Sequence, residues 1–212
     1  VEGGAYVSEN MPPLDLVKVK NKRFKQELQS FQMPEVYQAV NSMQNVPFRI
    51  NQFVLDVMQH AWDNGHEWGG IPSSYLIPTP NKPHDIDTND EARKQYSKKA
   101  SIIHTENKRT KSKRILFSSI LHSADEYRKQ DTLYFPLQLD FRGRVYCVPA
   151  FLNYQSVGGA KALIEFAFGK NITKENKGDF WLAVHGANTW GYDKCSLSDR
   201  QKWVIENEQW II

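Results

Sequence analysis

Apolar residues recur along this chain at two periods, and the changes of period divide it. Leu14-Asp15-Leu16-Val17-Lys18-Val19-Lys20 alternates apolar and polar positions, which predicts a short half-buried strand. Before it, Gly3-Gly4 and Met11-Pro12-Pro13 are turn signals. Asn21 to Leu28 is basic, through Lys22, Arg23 and Lys25, and reads as the start of a helix. Pro34 suits a helical first turn, and Val36, Tyr37, Val40 and Met43 follow at helical spacing. Asn51 can cap the next helix, whose Phe53, Val54, Val57, Met58, Ala61 and Trp62 form one stripe, assigned to core. Residues 63–90 lose the period: Pro72, Pro78, Pro80 and Pro83 exclude continuous regular structure. From Asp90 to about Tyr127 a long helix is expected. Ala92, Tyr96, Ala100 and Ile103 form one stripe, and Leu116, Ile120, Ala124 and Tyr127 another. Ala160 to Phe168 reads as a short helix, and Lys174 to Trp190 as a longer one. A last helix, Asp199 to Ile212, is capped by Ser196 or Ser198. Gly186 inside a helical run indicates a close neighbour, since Gly there costs about 1 kcal/mol against Ala.

The stretch Leu139-Asp140-Phe141-Arg142-Gly143-Arg144-Val145-Tyr146 breaks an otherwise apolar run with one carboxylate and two arginines. Its aromatic and β-branched flanks predict a strand, with Gly143 as a bulge or a close backbone approach. A regular strand would put Asp140, Arg142 and Arg144 on one face. Two guanidiniums beside one carboxylate leave net positive charge. Arginine forks match phosphate oxygens, and Asp140 can orient one fork so that the other faces a ligand. The competing reading is a partly buried ion pair at a strand end.

The balance of charge over the 212 residues is only +3, but it is uneven. From Arg93 to Arg114 nine residues are Lys or Arg and only Glu106 is acidic. A helix so cationic repels itself unless a polyanion or salt relieves it, which favours nucleic-acid backbone over a merely solvated face. The two cysteines, Cys147 and Cys195, form no disulfide framework and suit a reducing cytosol. No apolar run has membrane length and no signal peptide is visible. The chain starts at Val1 and finishes on Trp210-Ile211-Ile212, from which more chain or another subunit is expected to cover that end. Common enzyme templates are absent: no phosphate loop, no dinucleotide fingerprint, no nucleophile elbow. His60, His66, Glu67 and His84 fit no zinc spacing, and Asp85 and Asp87 read as turn formers, so no metal site is expected. Residues alone therefore reach an α+β, mostly helical domain that binds a phosphate-bearing polymer, with no complete catalytic set.

At Asp140-Phe141-Arg142-Gly143-Arg144-Val145-Tyr146 the chain resembles the phage-type single-subunit RNA polymerases, a family that includes mitochondrial enzymes. Around it stand Tyr134-Phe135-Pro136, then Ala162-Leu163-Ile164-Glu165-Phe166-Ala167 with Gly169-Lys170, Trp181-Leu182-Ala183-Val184-His185-Gly186-Ala187-Asn188, and Gly191-Tyr192-Asp193-Lys194. Upstream, Met33-Pro34-Glu35-Val36-Tyr37, Val46-Pro47-Phe48-Arg49-Ile50-Asn51, Asp85-Ile86-Asp87 and Lys111-Ser112-Lys113-Arg114-Ile115 keep the family order.

The resemblance implies a right-handed polymerase architecture, thumb plus part of palm. Residues 1–50 would end the N-terminal domain, 51–130 would be the thumb, and 131–212 the first part of the palm. Lys108, Lys111, Lys113 and Arg114 would contact RNA or template phosphates. Asp140, Arg142, Arg144 and Tyr146 would line the hybrid and template, and Lys194 would lie near the nucleotide triphosphate and departing pyrophosphate. The aspartates that carry two Mg²⁺ in the family lie in later motifs that do not occur here. The resemblance thus implies that this chain binds no catalytic metal and that a second subunit supplies the rest of palm and fingers, with DNA template, RNA transcript and nucleoside triphosphates as the other partners. The setting implied is the cytoplasm of an infected bacterium. Two alternatives stand beside it: a piece of one continuous polymerase chain, and a non-catalytic nucleic-acid-binding factor derived from the same fold.

Overall fold

A computed structural model describes residues 14–211, so the turns expected at Gly3-Gly4 and Met11-Pro12-Pro13 lie outside the described residues. The chain divides into two compact units, one ending at Ala167 and one running Phe168–Ile212.

The first unit holds helices α1 (Lys22–Gln29) and α2 (Pro34–Gln44), strand β1 (Phe48–Ile50), helices α3 (Gln52–Asp63) and α4 (Asp90–Tyr127), strands β2 (Leu137–Leu139) and β3 (Val145–Cys147), helix α5 (Gly158–Ala162) and strand β4 (Ile164–Phe166). The helices begin where side chains meet unpaired amides. Pro34 opens α2, where no amide proton is needed. Asn51 Oδ1 accepts from the amide of Val54, and Asn89 Oδ1 from those of Glu91 and Ala92. Asp90 and Glu91 add negative charge to the first turn of α4.

At 38 residues α4 is the longest element. It extends about 57 Å at 1.5 Å per residue. Only its last third is fully anchored. Phe117, Ile120, Leu121 and Ala124, spaced i, i+3, i+4 and i+7, are buried against Leu55, Ala61, Ile71, Leu152 and Leu163. The first two-thirds bury only Ala100. The stripe assigned to core on α3 is split. Ala61 is buried and Val54, Met58 and Trp62 pack on the core, whereas Phe53 and Val57 are exposed.

Two small antiparallel sheets flank this core. In one, β1 pairs with β4, Phe48 opposite Phe166 and Ile50 opposite Ile164. Arg49 Nε donates to Glu165 Oε1 across it at 2.6 Å, and Asn51 Nδ2 donates to Glu165 Oε2 at 2.9 Å. The continuous helix expected over Ala160 to Phe168 is therefore corrected to one helical turn followed by a strand. Ile164 and Phe166 suit a pleated surface, and their partner strand lies more than a hundred residues upstream, beyond the reach of local periodicity. In the other sheet β2 pairs with β3. The strand expected at Leu14–Lys20 is reduced to a parallel bridge between Val17 and Leu139. There the amide of Lys18 donates to Leu139 O and that of Leu139 to Leu16 O, both at 2.8 Å. A second core of Leu16, Val40, Leu137 and Leu139 closes under this sheet. Gln44 reaches it from α2, its Oε1 accepting from the buried amide of Leu137 at 2.8 Å.

The second unit comprises α6 (Gly178–Trp190), α7 (Leu197–Glu206) and the short α8 (Glu208–Ile211). Helix α6 starts four residues later than its apolar pattern suggests. Asn176 Oδ1 accepts from the amides of Thr173 and Gly178, and Lys177 stands at φ +53°, so the chain is turned before it can wind. Ser196 caps α7, its Oγ accepting from the amide of Asp199. The last helix breaks at Asn207 instead of running on. Helix α7 is the close neighbour that Gly186 indicated: a Cβ there would lie 3.8 Å from Val204 Cγ2. Tyr192 stacks on Trp203 at 5.1 Å, with Trp190 beside it.

Because Ile120 is 0 % exposed at the centre of the larger core, Ile120→Ala should cost about 2–5 kcal/mol in urea unfolding with an unchanged slope. A loss under 1 kcal/mol would mean that α4 is not seated there.

Candidate nucleic-acid interface

The Asp140 segment is not one strand. β2 ends at Leu139, the chain reverses, and β3 begins at Val145, so Asp140, Arg142 and Arg144 sit in a hairpin turn and do not share a strand face. The cause is the carboxylate. Asp140 Oδ1 accepts from the amides of Arg142 at 2.8 Å and Arg144 at 2.9 Å. The amide of Asp140 donates to Arg144 O, and that of Gly143 to Asp140 O. Gly143 adopts φ +78°, a left-handed conformation that side chains resist. The expected bulge is thus a turn glycine, and nothing lies within 4 Å of where its Cβ would be.

This arrangement changes the electrostatics. The backbone amide of Arg144 is the main cause holding the Asp140 carboxyl below the usual carboxylate range, opposed by partial burial and helped by the amide of Arg142 and the guanidiniums of Arg142 and Arg144. The charge folds backbone more than it orients a fork. Arg142 Nε lies 3.6 Å from Asp140 Oδ2 and its guanidinium rests 5.1 Å from the Phe141 ring. The Arg144 guanidinium is exposed and has no hydrogen-bond or ion-pair partner among the described residues. Tyr146 projects from β3 beside an open groove lined by Lys18, Gln138, Asp140 and Val148.

Sequence reasoning missed what steadies the hairpin. The Gln155 side chain acts as a neighbouring strand for β3: its Oε1 accepts from the amide of Cys147 at 2.8 Å, and its Nε2 donates to Val145 O at 3.0 Å. Asn153 fixes that loop in turn, donating to Pro149 O and accepting from the amide of Gln155. No periodicity announces two amides in a loop. Beneath them, burial raises both the Cys147 thiol and the Tyr154 hydroxyl above their ordinary values, so both stay protonated at neutral pH.

On α4, Lys108, Lys111 and Lys113 are exposed, whereas Arg114 is turned inward. Its guanidinium lies 4.3 Å above the Trp62 ring and donates to Pro72 O at 3.3 Å. Asn107 holds the same loop further on, exchanging two hydrogen bonds with the backbone of Ile77. The proline-rich connection is thereby strapped to α4.

In the second unit Lys194 stands on the turn between α6 and α7, its side chain 92 % exposed and 3.8 Å from Asp193. Arg200, not foreseen, secures that turn: it donates to Asp193 O at 2.7 Å, to Cys195 O, and to Asn188 Oδ1 at 2.8 Å. Among the described residues no group of three or more His, Cys, Asp or Glu side chains can hold a metal ion. Nor is any described helix long and apolar enough to cross a membrane.

Comparison with known proteins agrees with this chemistry. Residues 173–212 match the family model described as DNA-dependent RNA polymerase. The DNA-directed RNA polymerase of Enterobacteria phage K11 is 36% identical over 207 residues, 97% of this chain and 22% of the relative. T7 RNA polymerase of Escherichia phage T7 is 36% identical over 213 residues, covering 100% of this chain and 24% of the relative. The mitochondrial DNA-directed RNA polymerase of Neurospora crassa is 32% identical over 213 residues, 97% of this chain and 14% of the relative. The chain thus spans about a fifth of the length of the phage relatives it matches. The likeness holds from the first unit through the second, and the chain is homologous to one stretch of the larger phage and mitochondrial DNA-directed RNA polymerases.

Proposed function

We propose that this chain is part of a DNA-directed RNA polymerase and that it holds the RNA–DNA hybrid while RNA is made by nucleotidyl transfer. The observation that carries this reading is the Asp140 turn. One carboxylate oxygen is occupied by backbone amides, and Arg144 stands exposed, with no hydrogen-bond or ion-pair partner among the described residues, in a segment that aligns with the phage enzymes. On this reading residues 1–50 end the N-terminal domain, 51–130 are thumb and 131–212 are early palm. Exposed Lys108, Lys111 and Lys113 meet phosphates as point charges, while Arg114 braces the loop under them. Arg142, Arg144 and Tyr146 face template and hybrid, and Lys194 meets the triphosphate.

Nucleotidyl transfer of this kind would draw on Mg²⁺ to stabilise the negative charge that develops on the reacting phosphate. We assign the metal to the remainder of the polymerase. We assign that remainder to a second subunit. In support, Trp181, Leu182, Ile205 and Trp210 of the second unit are exposed apolar side chains suited to a protein interface. A continuation of the same polypeptide is the other possible carrier, and the mass of the native polymerase separates the two. The proposed setting is the cytoplasm of an infected bacterium.

In the assembled polymerase, Arg144→Ala should leave the fold intact and reduce elongation at least tenfold, with release of short transcripts. Uniformly weaker binding with normal elongation would instead mark a non-catalytic binding factor. The Asp140 turn has its own pH test. A carboxyl whose folded pKa is depressed stabilises fully above its unfolded value, near 3.8, and loses that contribution as pH falls through the lower folded value. Amide NMR signals of Arg142 and Arg144 should therefore stay constant from neutral pH to about pH 4 and move only below it. Movement centred above pH 4 would contradict the turn as described.

A further inference from the structure

The strap over α4 carries a feature that the hybrid-holding role does not use. Between its two anchors, Pro72 on Arg114 and Ile77 on Asn107, the chain presents Tyr75, 79 % exposed. Positions 107 and 114 are about 10 Å apart along the helix. Lys111, four residues after one anchor and three before the other, falls on the same helical face. Lys108 lies one step further round. The strap begins beside a second exposed ring. Trp68, 59 % exposed, lies parallel to His66 with centroids 4.3 Å apart and planes 4° apart, so one face is backed and the ring is held flat. The two segments approach each other at Gly65, three residues before Trp68, where a Cβ would lie 3.4 Å from the Oγ of Ser74, the residue before Tyr75. Of the acidic side chains nearby, Glu106 pairs with Arg109, and Glu67, next to Trp68 in the chain, is exposed.

Large aromatic rings normally hide in cores. Here Tyr75 is held outside by a strap fixed through Arg114 and Asn107, and Trp68 stands exposed just before it, near exposed lysines. Alternating π-faces and cations suit a polyanion with exposed bases, since stacking tolerates any base and lysines follow the phosphates. A base-paired duplex offers no free base faces along its length.

We propose that Tyr75 and Trp68 form a stacking platform for single-stranded RNA, its phosphates running along Lys111 and Lys108. This rests on the nucleic-acid reading of α4 but not on polymerase activity. The test is fluorescence anisotropy of the 212-residue chain with a labelled uridine 12-mer and an abasic 12-mer of equal charge. Tyr75→Ala and Trp68→Ala should each weaken the uridine oligomer roughly five- to hundredfold with an unchanged salt slope. Tyr75→Phe should restore it. The abasic oligomer should bind the unaltered chain more weakly than either single variant binds uridine. Lys108→Ala with Lys111→Ala should instead lower the salt slope by about 2. Equal binding of both oligomers, or aromatic variants within twofold of the unaltered chain, would overturn the platform. An unchanged slope in the lysine variant would overturn the phosphate reading of α4 separately.

Discussion

A carboxylate that accepts two backbone amides is the interaction on which the candidate interface depends. Asp140 could have neutralised one of its neighbouring arginines. One of its oxygens is taken up by two backbone amides, the other lies 3.6 Å from Arg142 Nε, and Arg144 has no ion-pair partner among the described residues. Charge-assisted bonds to amides are stronger than neutral ones, so the turn is well defined even though its rim is solvent-exposed. A rigid turn with an exposed guanidinium loses less conformational freedom on meeting a phosphate than a flexible arginine would. The Gln155 and Asn153 amides extend that rigidity to the outer edge of β3, where an unpaired edge would otherwise fray.

The long helix obeys a related division of labour. Its apolar seam lies at one end, and there it packs with α3 and α5 into the larger core. Beyond Phe117 toward its start the helix carries charge and almost no buried side chain. A helix of this composition would be weakly held, but Arg114 on Trp62 and Asn107 on Ile77 tie the proline-rich connection along it. At its other end Arg128 pairs with Asp56 of α3 and Asp125 of its own last turn. Arginines in this fold thus serve two ends: Arg49, Arg114, Arg128 and Arg200 bind the protein to itself, and Arg144 does not.

What was legible in the sequence follows the range of each signal. The span of α4 from Asp90 to Tyr127, the Asn51 and Ser196 caps and Pro34 at the start of α2 were all readable because the cause lies within a turn of its effect. The β1–β4 pairing was not, since Phe48 and Phe166 meet only in three dimensions. The hairpin was misread as a strand because Asp140-Phe141-Arg142-Gly143-Arg144 has apolar flanks on both sides, while the reversal comes from one side chain and one left-handed glycine. Arg114 shows the same limit: within the cationic run it looks like its neighbours, and only the position of Trp62 separates it from them.

The central claim is that the Asp140 turn presents Arg144, which has no ion-pair partner among the described residues, and Arg142, held only by a 3.6 Å pair to Asp140, to a nucleic acid, while other arginines are used internally. Side-chain Nε–H NMR of the arginines, recorded as an RNA–DNA hybrid is added, tests it directly. The expected result is that Arg142 and Arg144 shift, with loss of the effect at high salt, while Arg49, Arg128 and Arg200 stay in place. Unmoved signals for Arg142 and Arg144, or shifts confined to the internally bonded arginines, would contradict it.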